Sequence, residues 1–377
     1  MGIKLGNICK FQSGGTPTKK NPAYFNGTIP WITTTALNGR KIGKENAVDW
    51  ISEKAIEESA AKIVPAFSIM VGTRVGIGKV AINTVDMSTS QDIVSLVDID
   101  ESAWNKEFIC KFLQGKSKFL NAQARGATIK GIKIDVLSAL ELPKISIEEQ
   151  IYISKVIDEV KIIINSRKQQ LEKLDKIVKA RFVEMFGDPV LNEKGWKIVT
   201  VGDIVTEVRY GTSKPAVEGG KYPYLRMNNL TADGHLDLKD LKYIDISEDE
   251  IEKCVVRKGD VLFNRTNSIE LVGKTAVFDL TEEMVIAGYI IRVRLNKEML
   301  PVVFSQYMNL EPLKVILRGM AKGAVNQANI NAQELQSIKV YIPDMKLQNQ
   351  FADFVQQIDK SKLQYHPHTH TCQPNTS

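Results

Sequence analysis

The sequence predicts an α+β fold built twice: two similar β-rich domains separated by long antiparallel coiled-coil helices, related as a pseudo-two-fold repeat. Three observations predict it. Most landmarks of the first half recur in the second at a near-constant offset of 195–197 residues. Within each half, short apolar runs are punctuated by Gly, Pro and Asn, as strands and turns are. Between the halves, Ser146 to Phe186 contain no Gly or Pro and space their apolar residues by sevens.

Composition bounds the remaining possibilities. A chain of 377 residues, 43% hydrophobic and 25% charged, fits two to three folded domains at about 150 residues each. It excludes a collagen-like or wholly disordered chain. No apolar run is long enough to cross a bilayer, and the start, Met1 to Gly6, has no signal-peptide core. The four cysteines (Cys9, Cys110, Cys254, Cys372) form no CxxC pair, which argues against a zinc ribbon or a disulfide framework. A reducing cytoplasm is the expected compartment. Fifty Lys and Arg against forty-four Asp and Glu leave a net charge of +6, which suits a polyanionic partner.

The repeat runs in order through the chain. Lys4-Leu5-Gly6-Asn7-Ile8 returns as Thr200-Val201-Gly202-Asp203-Ile204, and the turn Ser13-Gly14-Gly15-Thr16-Pro17 as Tyr210-Gly211-Thr212-Ser213-Lys214-Pro215. The proline-entered strand Ile29-Pro30-Trp31-Ile32 returns as Tyr222-Pro223-Tyr224-Leu225. Gly78-Lys79-Val80-Ala81 matches Gly273-Lys274-Thr275-Ala276, and Arg125-Gly126-Ala127 matches Lys322-Gly323-Ala324. Each copy closes on a proline strand at Pro143 or Pro343. Strands are expected at 68–71, 80–82, 93–97, 260–263 and 290–295, and amphipathic helices at 52–62, 106–120 and 301–317.

The helix between the copies has the seam Ile153, Ile157, Val160, Ile164, Leu171, Leu174, Val178 and Met185, with acids in its first turn and Gly187-Asp188-Pro189 at its end. Its forty residues reach about 60 Å at about 1.5 Å each. After the second copy, Leu347, Phe351, Phe354 and Ile358 repeat the seam over residues 346–364, about half that length. Leu171, Leu174, Val178 and Met185 are therefore expected to lack an intramolecular partner. The tail from Tyr365 has no periodicity and reads as disordered, with His366, His368 and His370 solvated rather than metal-bound. The resulting partition is 1–145, 146–187, 188–343, 344–364 and 365–377.

Catalytic motifs fail on inspection. Ser268 to Thr275 nearly spells a phosphate-binding loop but has Ser268 where its first glycine belongs. Asn21-Pro22-Ala23-Tyr24 resembles a methyltransferase loop without its second proline or a glycine-rich cofactor strand. His235 stands alone in the folded region, without a triad context, and reads as a turn residue.

What remains is polar and basic material on loops, placed similarly in both copies. The first has Ser13, Thr16, Thr33, Thr34, Thr35, Asn38, Arg40, Lys41, Arg74, Lys79 and Lys130. The second has Thr212, Lys214, Arg226, Asn228, Asn229, Asn264, Arg265, Asn267, Lys274, Lys322, Asn326, Gln327 and Asn329. Arg, Asn and Gln read base edges in pairs of hydrogen bonds, while Lys and Thr hold phosphates. Such loops would also serve a protein-interaction scaffold docking two copies of one partner.

The duplicated layout, together with Lys179-Ala180-Arg181-Phe182-Val183-Glu184-Met185-Phe186-Gly187-Asp188-Pro189 and Gly195-Trp196, resembles the DNA-specificity subunit of type I restriction–modification systems. The resemblance covers about residues 3–364. It implies two target-recognition domains on antiparallel conserved helices, reading a bipartite and asymmetric double-stranded DNA target. It also implies two modification subunits carrying S-adenosylmethionine, restriction subunits using ATP and Mg, and no cofactor, metal or catalysis in this chain. The short distal helix departs from the family. Either a modification subunit or a second copy covers the exposed seam, or the chain is a truncated variant with weakened assembly.

Overall fold

The computed structural model describes residues 2–126, 131–324 and 327–365, and divides into two compact units, 1–164 and 165–377. In the first, a five-stranded sheet has the order Lys10–Ser13, Ile93–Val97, Ile69–Gly72, Val80–Asn83, Lys41–Ile42. The strands Ile69–Gly72 and Val80–Asn83 are buried throughout, so they read as apolar runs rather than alternations. A four-stranded sheet has the order Asp49–Ile51, Ile29–Ile32, Met87–Thr89, Ile63–Val64. Gly2–Lys4 pairs antiparallel with Glu141–Pro143, just before the central helix begins.

The second unit repeats this plan. Its main sheet runs Val205–Tyr210, Ile290–Leu295, Val261–Asn264, Thr275–Val277. Its second sheet runs Lys242–Ile244, Tyr222–Leu225, Met284–Ile286, Val255–Val256. In each second sheet one inner pair is parallel, with Trp31 opposite Ser88 and Tyr224 opposite Val285. The turn glycines explain themselves: a Cβ on Gly14 would lie 2.3 Å from the Ser90 carbonyl oxygen, and one on Gly211 2.3 Å from that of Ala287.

Several expected helices are shorter or broken. The one over 52–62 is Glu53–Glu58, because Ile63–Val64 pairs as a strand with Met87–Ser88. The one over 106–120 divides at Lys116 into Lys106–Gly115 and Ser117–Ala122. The one over 301–317 becomes Pro301–Asn309 and Glu311–Met320. The ring of Pro312 would strike the Met308 carbonyl in a continuous helix, so Leu310 turns extended.

The central helix spans Ile147–Phe186. Ser146 and Glu149 cap it reciprocally, at 3.2 and 2.9 Å. Gln150 is fully buried: its amide donates to the carbonyls of Ala103 and Ile145, and its oxygen accepts from the Asn105 N–H. Gln348 repeats this at the distal helix, Met345–Tyr365, donating to Glu298 and Pro343 and accepting from Leu300. At the other end of the central helix, Gly187 adopts φ +83°, Trp196 donates to the Phe186 carbonyl at 2.8 Å, and Lys194 to that of Glu184 at 2.6 Å.

The distal helix runs back along the later half of the central one. Phe351 lies edge-on to Phe182 and Phe186, with centroids 5.4 and 5.5 Å apart, and eleven residues on, Lys362 reaches Asp175 at 2.7 Å. This corrects the expected location of the uncovered seam. Val178 and Met185 are buried, Leu171 and Leu174 half-buried, and Phe354 and Ile358 pack beside them. Ile153 and Ile157 are half-buried, Ile153 against the core of the first unit. The uncovered stretch is instead Val160, Ile162, Ile163 and Ile164, at 48, 67, 58 and 48% exposure. Residues 366–377, including the three tail histidines, lie outside the described residues.

Replacing Phe351 by Ala should cost about 3–5 kcal/mol, seen as a lower urea midpoint for the second unit. Ile163→Ala should stay within about 0.5 kcal/mol in the isolated chain.

Candidate nucleic-acid interface

Backbone hydrogen bonds bring several polar groups to one end of each main sheet. In the second unit, Val205–Tyr210 ends at Tyr210, Val261–Asn264 runs into the Arg265 turn, and Thr266–Asn267 pairs with Gln327–Asn329. The buried Asn264 amide donates to the carbonyls of Thr266 and Tyr289, both at 3.1 Å, and accepts from the Asn267 amide at 2.8 Å. The Thr266 hydroxyl donates to Asn329 at 2.9 Å. On this frame the Arg265 guanidinium lies 5.0 Å from the Tyr210 ring centre and reaches the Gly288 carbonyl at 3.4 Å. Tyr210 and Tyr289 are 44 and 48% exposed. A planar cation held against an aromatic face offers donors in a fixed plane, the geometry that suits base edges and phosphates.

The first unit has the same frame with different side chains. The Thr73 N–H donates to the Asp92 carbonyl as that of Arg265 donates to Tyr289, at 2.8 and 3.0 Å. The Thr73 carbonyl accepts from Ile132 as that of Arg265 accepts from Ile330, at 2.8 and 2.9 Å. Thr73 thus stands where Arg265 stands, and Asp92 where Tyr289 does. Ser13, opposite Val94, takes the place of Tyr210, opposite Ile291. Beside them, Arg74 lies 4.0 Å from Asp92, and Thr16 hydrogen-bonds Gln91. Sequence reasoning passed over Tyr210, Tyr289, Gln91 and Asp92. The repeat offset carried the signal, since Gln91-Asp92 aligns with Gly288-Tyr289.

Several predicted residues are structural. Asn229 is buried, with its amide on the Asp237 carbonyl and its oxygen on the Arg226 N–H. Lys274 is buried and its ammonium donates to the carbonyls of Met227 and Leu230, so in this conformation it is turned away from any phosphate. Burial lowers its pKa. Asn264 and Thr34 are likewise inside. Thr33 pairs with Thr35 at 2.8 Å, Asn38 accepts from the Arg40 N–H at 3.0 Å, and Lys41 pairs with Glu107 at 2.9 Å. Thr212 accepts from the Lys214 N–H, Lys214 pairs with Glu250, and Arg226 pairs with Asp240 at 2.9 Å. Arg40, Lys79 and Asn228 are exposed. Lys130 and Asn326, and the side chains of Lys322 and Gln327, lie outside the described residues. Among the described residues, no helix is long and apolar enough to cross a membrane.

A family model described as Type I restriction modification DNA specificity domain matches residues 2–175 and 193–368. The MjaIX specificity subunit of a type I restriction enzyme from Methanocaldococcus jannaschii is 30% identical over 249 residues, 60% of this chain. The match spans 57% of that protein's length. The EcoKI specificity subunit of Escherichia coli is 25% identical over 367 residues, covering 91% of this chain and 79% of its own. Two solved structures share the fold. The type I S subunit of M. genitalium gives a TM-score of 0.50 at 16% identity, covering 98% of this chain and 91% of its own. A chain from a structure of complex assembly and conformational transition in a type I R-M system gives 0.58 at 15%, covering 97% and 92%.

Asn264→Ala removes the amide's bonds to the Thr266 and Tyr289 carbonyls and the acceptor of the Asn267 amide, so it should cost about 1–3 kcal/mol in denaturant melts. Asn228→Ala should change stability by less than about 0.5 kcal/mol.

Proposed function

Because the chain belongs to the family of type I restriction–modification DNA specificity domains, we propose that it is the non-catalytic, sequence-reading subunit of such a system. In this reading, residues 1–145 and 188–343 each read one half of a bipartite double-stranded DNA target. Residues 146–187 and 344–364 form the spacer, and 365–377 a tail. The observation that carries it is one hydrogen-bonded frame built twice with unlike side chains at matching places: Ser13 and Tyr210, Thr73 and Arg265, Asp92 and Tyr289. Matching frames address the same feature of DNA, and unlike side chains read different bases, so the two half-sites differ. Major-groove faces recur about every 34 Å, a distance that a helix of about 60 Å can bridge.

The exposed Val160–Ile164 stretch supports a macromolecular partner. Each apolar side chain buried there is worth about 1.5–3 kcal/mol. In this reading two modification subunits cover it and carry S-adenosylmethionine, while restriction subunits bring ATP and Mg. This chain supplies the address and the scaffold.

The test is selection from random duplexes by the chain assembled with its modification subunits. An asymmetric two-part motif is expected, with affinity falling with salt at a log–log slope of several units. A complex that shows neither sequence preference nor salt dependence refutes the reading and favours a protein-interaction scaffold. Exchanging residues 188–343 for those of another family member should replace one half of the motif only; a change in both halves would break the partition. Ile163→Asp should abolish assembly with the modification subunit without lowering the melting temperature of the isolated chain.

A further inference from the structure

Each unit ties the same loop to the long helix beside it, and the two ties differ in chemistry. The loops correspond because Gly39 and Gly234 both adopt positive φ, +80° and +92°, and both sit over matching polar residues, Gln114 and Asn309. In the first unit the Gly39 carbonyl accepts from the Gln114 amide at 3.1 Å, and Gln114 accepts from Lys161 of the central helix at 2.9 Å. In the second, His235 follows Gly234. Its Nε2 lies 3.4 Å from Asp359 of the distal helix, and its Nδ1 3.6 Å from Asp233. Lys362 lies 3.3 Å from Asp359 and bonds onward to Asp175 of the central helix at 2.7 Å. The repeat offset puts Lys161 and Asp359 at matching turns of the two helices.

The loop also touches the candidate reading turn. Lys274 donates to the Met227 and Leu230 carbonyls on this loop, while its own backbone carbonyl accepts from the Asn264 N–H at 2.8 Å. A chain of direct contacts therefore runs from Asp175 through Lys362, Asp359, His235 and the loop to Lys274 and the frame of Arg265. Resting on the DNA-reading function above, we propose that His235 is a positioning residue for the second reader. It holds loop 227–236 on the helix pair through a charged tie, and so sets the register of the Arg265 turn.

The charged groups around the imidazole support this. Asp233 on its own loop and Asp359 on the distal helix favour the imidazolium, while the Lys362 ammonium, 3.4 Å from Nε2 and paired with Asp175, opposes it. Hydrogen bonding to Asp233, then to Asp359, raises His235 from 6.5 up to about 10. The tie is therefore charged at neutral pH. A folded-state pKa above the unfolded one gives stability that is full below pH 6.5 and lost as pH rises towards 10.

The experiment uses the assembled complex, random-duplex selection, and amide hydrogen exchange over 227–236. His235→Ala and Asp359→Asn should leave the first half of the selected motif intact, relax the second half at least tenfold, and speed exchange in the loop. His235→Arg should restore the second half, because a guanidinium keeps a permanent positive charge facing Asp233 and Asp359. The excess protection of wild type over His235→Ala should shrink between pH 6.5 and 10. Should His235→Ala fail to fold, Asp359→Asn, which alters a half-exposed side chain, reads the same quantities. Variants that lower the melting temperature yet keep both halves of the motif would overturn the proposal while leaving the DNA-reading function standing. A wild-type complex that selects no motif would remove both.

Discussion

The aromatic knot at the end of the central helix is the constraint on which the second unit depends. Phe182, Phe186, Tyr307, Tyr341 and Phe351 meet edge-to-face, with centroids 4.8–6.2 Å apart. The rings come from four elements, so they fix the central helix, the helix Pro301–Asn309, the strand Lys339–Ile342 and the distal helix together. Its polar rim completes the helix cap: the Tyr307 and Tyr341 hydroxyls donate to the carbonyls of Pro189 and Gly187 at 2.6 and 3.0 Å. Phenols buried this way stay protonated, since burial raises both well above their usual range. Apolar burial and carbonyl satisfaction therefore act at one place, and the Phe-Gly-Asp-Pro signature is where they coincide.

A second constraint works at the start of each helix. Gln150 and Gln348 replace water for the carbonyls that a chain reversal leaves unpaired, each bonding three backbone groups. A neutral amide can be buried fully once its donors and acceptor are matched, whereas a carboxylate there would carry a desolvation cost. The two copies carry this device at matching places.

The repeat and the two helices were legible in the sequence because they rest on period and offset, which single substitutions do not erase. The offset alone identifies Gly14 with Gly211, and the structure gives both the same close approach to a facing carbonyl. The breaks at Lys116 and Leu310 were less legible, since apolar spacing continues across them and only Pro312 marks one. The site was hardest to read. Asn229, Asn264 and Lys274 have the composition of DNA-reading residues but spend their hydrogen bonds on backbone. Tyr210 and Tyr289 have the composition of core residues but stand at the rim. Residue type indicates what a side chain can bond, while burial decides what it does bond.

This division of labour lets one frame carry two unlike rims. The bonds that define the frame at Thr73 and Arg265 are backbone bonds, indifferent to the side chain above them. A rim substitution typically changes stability by less than about 0.5 kcal/mol, while a large-to-small change in the core costs about 2–5 kcal/mol. After a duplication, the rim is therefore free to diverge and the core is not. Ser13 against Tyr210, beside strands paired in matching register, is that divergence caught in one molecule. Specificity can drift in such a design without re-solving the folding problem, because the groups that would recognise a ligand and the groups that hold the sheet are different groups.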